Sequence, residues 1–461
     1  MRPETSLNIQ IWKKPGDAAT AENSVFHQIS KEKISAWLDD HLRRSESLHT
    51  VPFMVAALIA GTAAVLYAEG FRYAANLSAH WFQKFPYWFL VFTPFCFLVG
   101  FWIVHFFSSE ASGSGIPQVM AANEMDHGAD TPKIHALLSL KTALVKVISS
   151  LFCILGGGAI GREGPTIQIA ASIFHFVGKR FQRFWPQKLN HHALIVSGGA
   201  AGISAAFNTP LGGIVYAIEE LASEHFNHFR MTVILAVIVA GLVAQAISGP
   251  YLYLGFPFLR GVTIAIIPSA LLVGAVAGLG GAFFGKVLFA LARWRRGISG
   301  FWRLSFITLG LGFAFAVLSL VLTRTTMGPG TALMEELLFR KGAVADFAEV
   351  GARFLGPLVS YLSGAAGGIF APSLAAGAAI GSKLAFLVGS EHANLLVLLG
   401  MIGFLTGVTR APLTAFVLVL EMTDRHSAIF PMMLSALTAY GLARLVDSRS
   451  FYEHMKELYL K

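Results

Sequence analysis

Charge is what this sequence has least of. Asp, Glu, Lys and Arg make up 13% of its 461 residues, against about 25% in an ordinary soluble protein, which excludes a solvated globular domain. Cysteine is nearly missing too: the chain has only Cys96 and Cys153, both in apolar runs. A disulfide framework or thiolate metal centre wants more cysteines at closer spacing, so these two are expected to pack in the core. The histidines, His191-His192 included, show no metal-ligand spacing, and there is no HExxH. The first 50 residues are polar and mixed in charge, without the apolar stretch of a secretory signal. Within them, KEKISAWLDDHLRR (31–44) reads as a helix on a membrane surface or in water.

Apolar residue types make up 55% of the chain, and its mean hydropathy is +0.62. Apolar runs begin near Val51 and continue to about Val446. A span takes about 20 apolar residues, so roughly ten or more crossings or part-crossings fit. The sequence predicts an all-α, polytopic membrane protein. Residues 1–50 form an N-terminal segment, 51–446 a transmembrane transport domain and 447–461 a C-terminal tail. The formal charge of +9 is concentrated: Lys179, Arg180, Arg183 and Lys188 form one basic cluster, Arg293, Arg295, Arg296 and Arg303 another. The positive-inside rule puts both clusters and the N-terminus in the cytoplasm, and this reading is preferred to nucleic-acid binding.

The apolar segments are interrupted. Prolines follow small or polar residues in GSGIPQ (113–118), GREGPT (161–166), FNTPLG (207–212), GIFAPS (368–373) and TRAPLT (409–414). Each reads as a loop with proline in the first turn of the next helix, where its missing N–H costs nothing. Helices that begin inside a bilayer are tolerated only where their ends face protein or a wet cavity, which points to a transport pathway. The second half also echoes the first: NTPLGGIVYAIEE (208–220) aligns with RAPLTAFVLVLEM (410–422), so that Pro210 meets Pro412, Leu211 Leu413, Val215 Val417 and Glu219 Glu421. Upstream, Pro165 pairs with Pro372. Matched halves with broken helices predict internal repeats, at roughly 51–249 and 262–446, with a binding site at their interface. The match alone fits parallel or inverted repeats.

A helix start offers free N–H groups and the positive end of the dipole, so it attracts anions. One start supplies about 0.3–2 kcal/mol, whereas dehydrating an ion costs several kcal/mol, so several starts must converge. GSGIP, FNTP and GIFAP carry no acidic side chain, which suits an anion and argues against a cation transporter. Glu163 sits two residues before Pro165, where its carboxylate could take the place of an anion. Protonation would remove that competitor, making one residue both gate and proton carrier; intramembrane ionisable residues default to function. Arg162, its neighbour, faces elsewhere on the helix and is expected to hold the loop or raise the local potential. Glu219 has a mate in Glu421, which predicts a shared capping or pairing role. Glu220 has none, since Met422 stands opposite. Lys146, in TALVKVISSLF, is expected to be a buried counter-ion to a carboxylate such as Glu421. An intramembrane hydrolase with SGSG (112–115) as nucleophile loop would need a positioned base, and the histidines supply none, so no enzymatic activity is expected.

Together these motifs resemble the CLC family of chloride channels and proton/chloride exchangers: GSGIP (113–117), GREGP (161–165), AFNTPLGGIVYAIEE (206–220) and GGIFAP (367–372) occur in order. The resemblance covers about residues 50–455. It implies inverted repeats of tilted, broken helices and a homodimer with one pathway per subunit. It also implies that Ser114 binds the central anion with its hydroxyl, beside Gly115, that the N–H groups of Ile369 and Phe370 line the same site, and that Glu163 is the external gate. Glu220 falls where proton-coupled members carry an internal proton-transferring glutamate, which favours an antiporter over a channel of the same fold. The family's second hydroxyl follows Pro-Leu; here SFY (450–452) makes Tyr452 the choice over Tyr459. Nitrate-exchanging relatives tend to carry proline at the Ser114 position, so chloride is the expected ion, with no cofactor and no metal. Ending at Lys461, the chain is expected to lack the cytoplasmic nucleotide-binding domains of eukaryotic relatives and to reside in a prokaryotic inner membrane.

Overall fold

The computed structural model describes residues 46–126, 128–183, 185, 189–221, 230–259, 264–322 and 324–461. The chain divides into two compact units, 1–51 and 52–461. All but the opening turn of the first helix in the smaller unit lies outside the described residues, as do the expected helix at 31–44 and Lys188.

The first half runs α1 (Glu46–Lys84), α2 (Phe89–Phe107), α3 (Ile116–Glu124), a short α4 (Thr131–Leu137), α5 (Leu140–Leu155), α6 (Glu163–Phe181), α7 (His191–Phe207), α8 (Pro210–Tyr216) with a π-helical turn (Ala217–Leu221), and α9 (Arg230–Ser248). The second half replays that order without α4. It comprises α10 (Ile267–Arg296), α11 (Phe301–Val321), α12 (Thr331–Phe339), α13 (Phe347–Leu362), α14 (Phe370–Leu387), α15 (Ala393–Thr409), α16 (Pro412–Thr423) and α17 (Ile429–Val446). A last helix, α18 (Phe451–Leu460), has no mate. Paired lengths agree: α3 and α12 have 9 residues each, α5 and α13 16, α7 and α15 17. Among the described residues, 8 helices are long and apolar enough to cross a membrane.

The repeat extends to details of the chain's turns. α7 and α15 both end in a left-handed residue, Asn208 (φ 56°) and Arg410 (φ 62°), which stops the helix. Two residues later a proline opens α8 or α16. The carboxylate needed at each new start comes from the other repeat. Glu421 accepts from the N–H groups of Leu211 and Gly212 (3.1 and 2.8 Å), and Glu219 accepts from those of Leu413 and Thr414 (3.0 and 2.7 Å). The shared role expected of these two glutamates is thus mutual capping, which satisfies helix-start donors. Lys146 does not pair with Glu421. Its ammonium donates instead to the Gly113 carbonyl (3.0 Å), and the Glu421 carboxylate is already occupied by the start of α8.

The halves also meet on their pseudo-twofold axis. Gly161 and Gly368, two residues before α6 and α14, exchange N–H···O=C bonds of 2.7 and 2.8 Å. Such reciprocity is expected where equivalent positions face each other across a twofold. Small residues let the buried helices close up: a Cβ on Gly377 would overlap the Gly400 carbonyl where α14 meets α15. Cys96 and Cys153 are free and buried in this packing.

Candidate functional site

Ser114 is held by a loop that only glycine permits. Gly113 (φ 66°) and Gly115 (φ 105°) flank it in left-handed conformations. Gln118 locks the loop to the first turn of α3: its Oε1 accepts from Gly115 N–H (3.1 Å), while its Nε2 donates to Ser112 O (2.7 Å) and Glu110 O (3.1 Å). Lys146 and the N–H of Gly367 both donate to Gly113 O, each at 3.0 Å. The Ser114 side chain is fully buried, and its Oγ has no hydrogen-bond partner. It lies so close to the start of α6 that a Cβ on Gly164 would overlap it.

Glu163 opens α6 and is fully buried. Its carboxylate turns back over Gly161 toward the N-terminus of α14, interacting with the backbone N–H of Ala371 and its own. Tyr253 donates to Oε1 at 3.4 Å, a long bond, and Oε2 has no well-formed partner. Ile369 caps α14 and Phe370 begins it, both buried, so their N–H groups belong to the unsatisfied first turn of a helix aimed at this place. Arg162 turns away: its Nη1 donates to Ala68 O on α1 (3.0 Å), and the guanidinium lies 6.0 Å from the centre of the Tyr253 ring. It holds the loop, and it shares Tyr253 with the glutamate beside it.

Tyr452 arrives from α18, whose first turn is fixed by a Ser450–Glu453 capping box. It is fully buried, and its hydroxyl interacts with that of Ser114, although neither oxygen has a partner of good hydrogen-bond geometry. The ring of Tyr459 lies 4.5 Å from the Arg296 guanidinium, on the wall of a cavity that also reaches Gly113, and no hydrogen bond joins it to the Ser114 hydroxyl. The structure therefore brings Ser114, Gly115, Glu163, Ile369, Phe370 and Tyr452 to one locus. A buried polar atom left unpaired costs about 1–3 kcal/mol, and Ser114 Oγ, Tyr452 OH and Glu163 Oε2 are three of them. Two hydroxyl donors beside helix starts can bind an anion, and the Glu163 carboxylate already engages the first turn of α14 through the N–H of Ala371.

Glu220 stands apart, in the π-helical turn after α8, a distortion frequent at functional sites. Charge interactions link it to Glu219, Glu453, Tyr216 and Tyr452. Sequence reading missed two tyrosines. Tyr253 touches Glu163, and Tyr216 interacts electrostatically with both Glu220 and Tyr452; in YLYLGF (251–256) and IVYAIEEL (214–221) both look like ordinary apolar-run aromatics. Beside Ser114 a cavity of about 430 Å³ is lined by Ser112, Gly113, Tyr361, Arg295 and Arg296, with Glu110 and His105 also on its wall. Among the described residues, no three His, Cys, Asp or Glu side chains group as a metal site.

The sequence profile described as "Voltage gated chloride channel" matches residues 95–444. The H(+)/Cl(-) exchange transporter ClcA of Vibrio parahaemolyticus is 28% identical over 94% of this chain and 96% of its own length. The protein of the same name from Yersinia pestis is 30% identical over 77% of this chain and 74% of its own. Among solved structures, that of a slow cyanobacterial Cl-/H+ antiporter aligns with a TM-score of 0.74 and 26% identity, covering 89% of this chain and 98% of that one. The all-α fold of two inverted repeats is thus shared with known transporters, and the chain is a multi-pass membrane protein. With most of its length inside the family profile, and its helix starts meeting at Ser114 and Glu163, the chain belongs to the voltage gated chloride channel family.

Proposed function

We propose that this protein is a secondary active antiporter that exchanges chloride for protons, with Glu163 as the shared gate. The observation that carries the reading is the position of the Glu163 carboxylate, against the N-terminus of α14 at the helix start that meets Ser114, whose hydroxyl and that of Tyr452 are left orphaned. The relatives named as exchange transporters support it.

Chloride accepts hydrogen bonds from the Ser114 and Tyr452 hydroxyls, and the N–H groups around Gly115, Ile369 and Phe370 add dipolar attraction. No single contact offsets dehydration: each helix end contributes about 0.3–2 kcal/mol. Converging ends and two hydroxyl donors together reach the several kcal/mol required. Ionised Glu163 competes for the N–H groups that attract chloride. Protonated, it releases them, and the anion moves past as the proton departs on the other side. Glu220 passes protons between the cytoplasm and the interior. Arg295 and Arg296 give the cavity beside Ser114 a basic wall that draws chloride toward Gly113.

The rest of the assignment follows the same reading: a homodimer with one pathway per subunit, in a prokaryotic inner membrane, with 1–50 and both basic clusters in the cytoplasm. No cofactor and no metal takes part, and the chain is not an enzyme. Residues 51–446 form the transport domain, and the 447–461 tail contributes Tyr452.

The test is purified protein in liposomes under opposed chloride and pH gradients. Chloride flowing down its gradient is expected to drive protons uphill, and Glu163→Gln should stop the protons while anion flux continues. A reversal potential indifferent to the pH gradient would make the protein a chloride channel of the same fold.

A further inference from the structure

Tyr216 is the last residue of α8 and among the most completely buried large side chains in the molecule, at 1% exposure. Its hydroxyl has no hydrogen-bond partner. A buried phenol normally finds one, and an unpaired hydroxyl costs about 1–3 kcal/mol, whereas phenylalanine would fill the same volume without that cost. Glu220 follows four residues later, one turn on, so the two side chains emerge on the same side of the helix. The phenol interacts electrostatically with both Glu220 and Tyr452. Tyr452 in turn interacts with Ser114 and Glu163. In the second repeat, Leu418 takes the place of Tyr216 and Met422 that of Glu220, and α16 continues as regular helix through Thr423. The hydroxyl, the acid and the π-turn therefore occur together in one repeat and are all missing from the other.

We propose that the Tyr216 hydroxyl is a station on the proton path between Glu220 and the chloride site, an inference that rests on the exchanger reading. A proton leaving the Glu220 carboxyl, directly or through one water, reaches the phenol oxygen as the phenol's own proton passes toward Tyr452. Tyr216 is neutral before and after, and a rotation about its C–O bond resets it. The oxygen serves as acceptor on one side and donor on the other, which a phenol can do and a phenylalanine cannot.

The test is Tyr216→Phe, which keeps the ring and removes one oxygen. Proton and chloride fluxes are measured together in liposomes, and chloride binding by calorimetry on the purified protein. Proton flux is expected to fall about tenfold or more, while chloride flux falls much less, so that fewer protons move per chloride. In a Glu220→Gln background the same substitution should cause no further loss, because both residues serve one path. An unchanged proton-to-chloride ratio, or a parallel fall of both fluxes with weakened chloride binding, overturns the proposal. If the wild-type protein itself moves no protons, the exchanger reading has failed, and that outcome is visible before any variant is made.

Discussion

The loops SGSGIP (112–117) and MGPGTA (327–332) begin α3 and α12 and occupy equivalent places in the two repeats. Their backbones are nearly the same: φ is 66° at Gly113 and 68° at Gly328, 105° at Gly115 and 94° at Gly330. Each first glycine has its carbonyl held by a buried cation from the next matched helix. Lys146 donates to Gly113 O at 3.0 Å, and Arg353 to Gly328 O at 2.9 Å. What differs is the residue between the glycines, Ser114 in one loop and Pro329 in the other. The neighbourhood differs as well: Glu163 opens α6 where Phe370 opens α14, and Tyr452 comes from a helix outside the repeat. The loop and its cation are thus common architecture. The groups that can bind an anion or carry a proton are those that break the symmetry.

The largest expected effect tests that division at the two axial helix starts. Glu163→Gln should reduce proton flux to the leak of protein-free vesicles. Phe370→Leu, at the equivalent position, should leave protons and chloride coupled and cost about 1–2 kcal/mol of stability through lost packing against Phe207. Coupling lost in both variants would mean that the two starts act as one unit.

Next is an exchange between the loops. Proline fits poorly after many backbone conformations, but Pro329 follows a glycine with the same φ as Gly113. Ser114→Pro should therefore fold, lose one hydroxyl donor to the anion worth about 1.5–3 kcal/mol, and bind chloride roughly 10- to 100-fold more weakly. Pro329→Ser should leave chloride affinity unchanged in the same calorimetric titration.

How much of this was legible in the sequence depended on the kind of interaction. Glu163 stood out because a carboxylate in an apolar run is costly, and Ser114 because glycines on both sides of a polar residue mark a special turn. The repeat was visible in the Pro210/Pro412 and Glu219/Glu421 matches, since proline and charge at fixed spacing survive divergence. The partner of Lys146 was not: it is a backbone carbonyl, which leaves no mark in composition, and the expected ion pair with Glu421 was wrong for that reason. Tyr216 was hidden because an aromatic in an apolar helix reads as packing until its hydroxyl is seen unpartnered. Arg353, the mate of Lys146, sits in a less similar stretch, and the helix lengths reveal the correspondence.

The buried cations give a third, smaller effect. Lys146→Met and Arg353→Met each remove a donor from a buried glycine carbonyl, at a cost of about 1–3 kcal/mol. Both should lower the melting temperature in detergent. Arg353→Met is expected to cost more, since its Nη2 also holds Met327 O (2.9 Å), while Gly113 O keeps the N–H of Gly367. Chloride affinity should fall several-fold in Lys146→Met and stay the same in Arg353→Met, because only Gly113 precedes a residue of the proposed anion site. Equal losses of affinity would show that both loops shape the site.

The smallest effect concerns a contact that the two repeats make in the same way. Glu219→Ala and Glu421→Ala each uncap one helix start and should each cost about 1–2 kcal/mol. The caps are mutual, each helix carrying the carboxylate that holds the other's start. Loss of one loosens the geometry on which the other depends, so the double variant should cost less than the sum of the singles, with a coupling of at least about 0.5 kcal/mol. Strict additivity would mean two independent caps. Transport should separate what stability does not: Glu219 adjoins Glu220 and interacts with it, whereas Glu421 adjoins Met422. Glu219→Ala is therefore expected to alter the number of protons moved per chloride, and Glu421→Ala to leave it at the wild-type value.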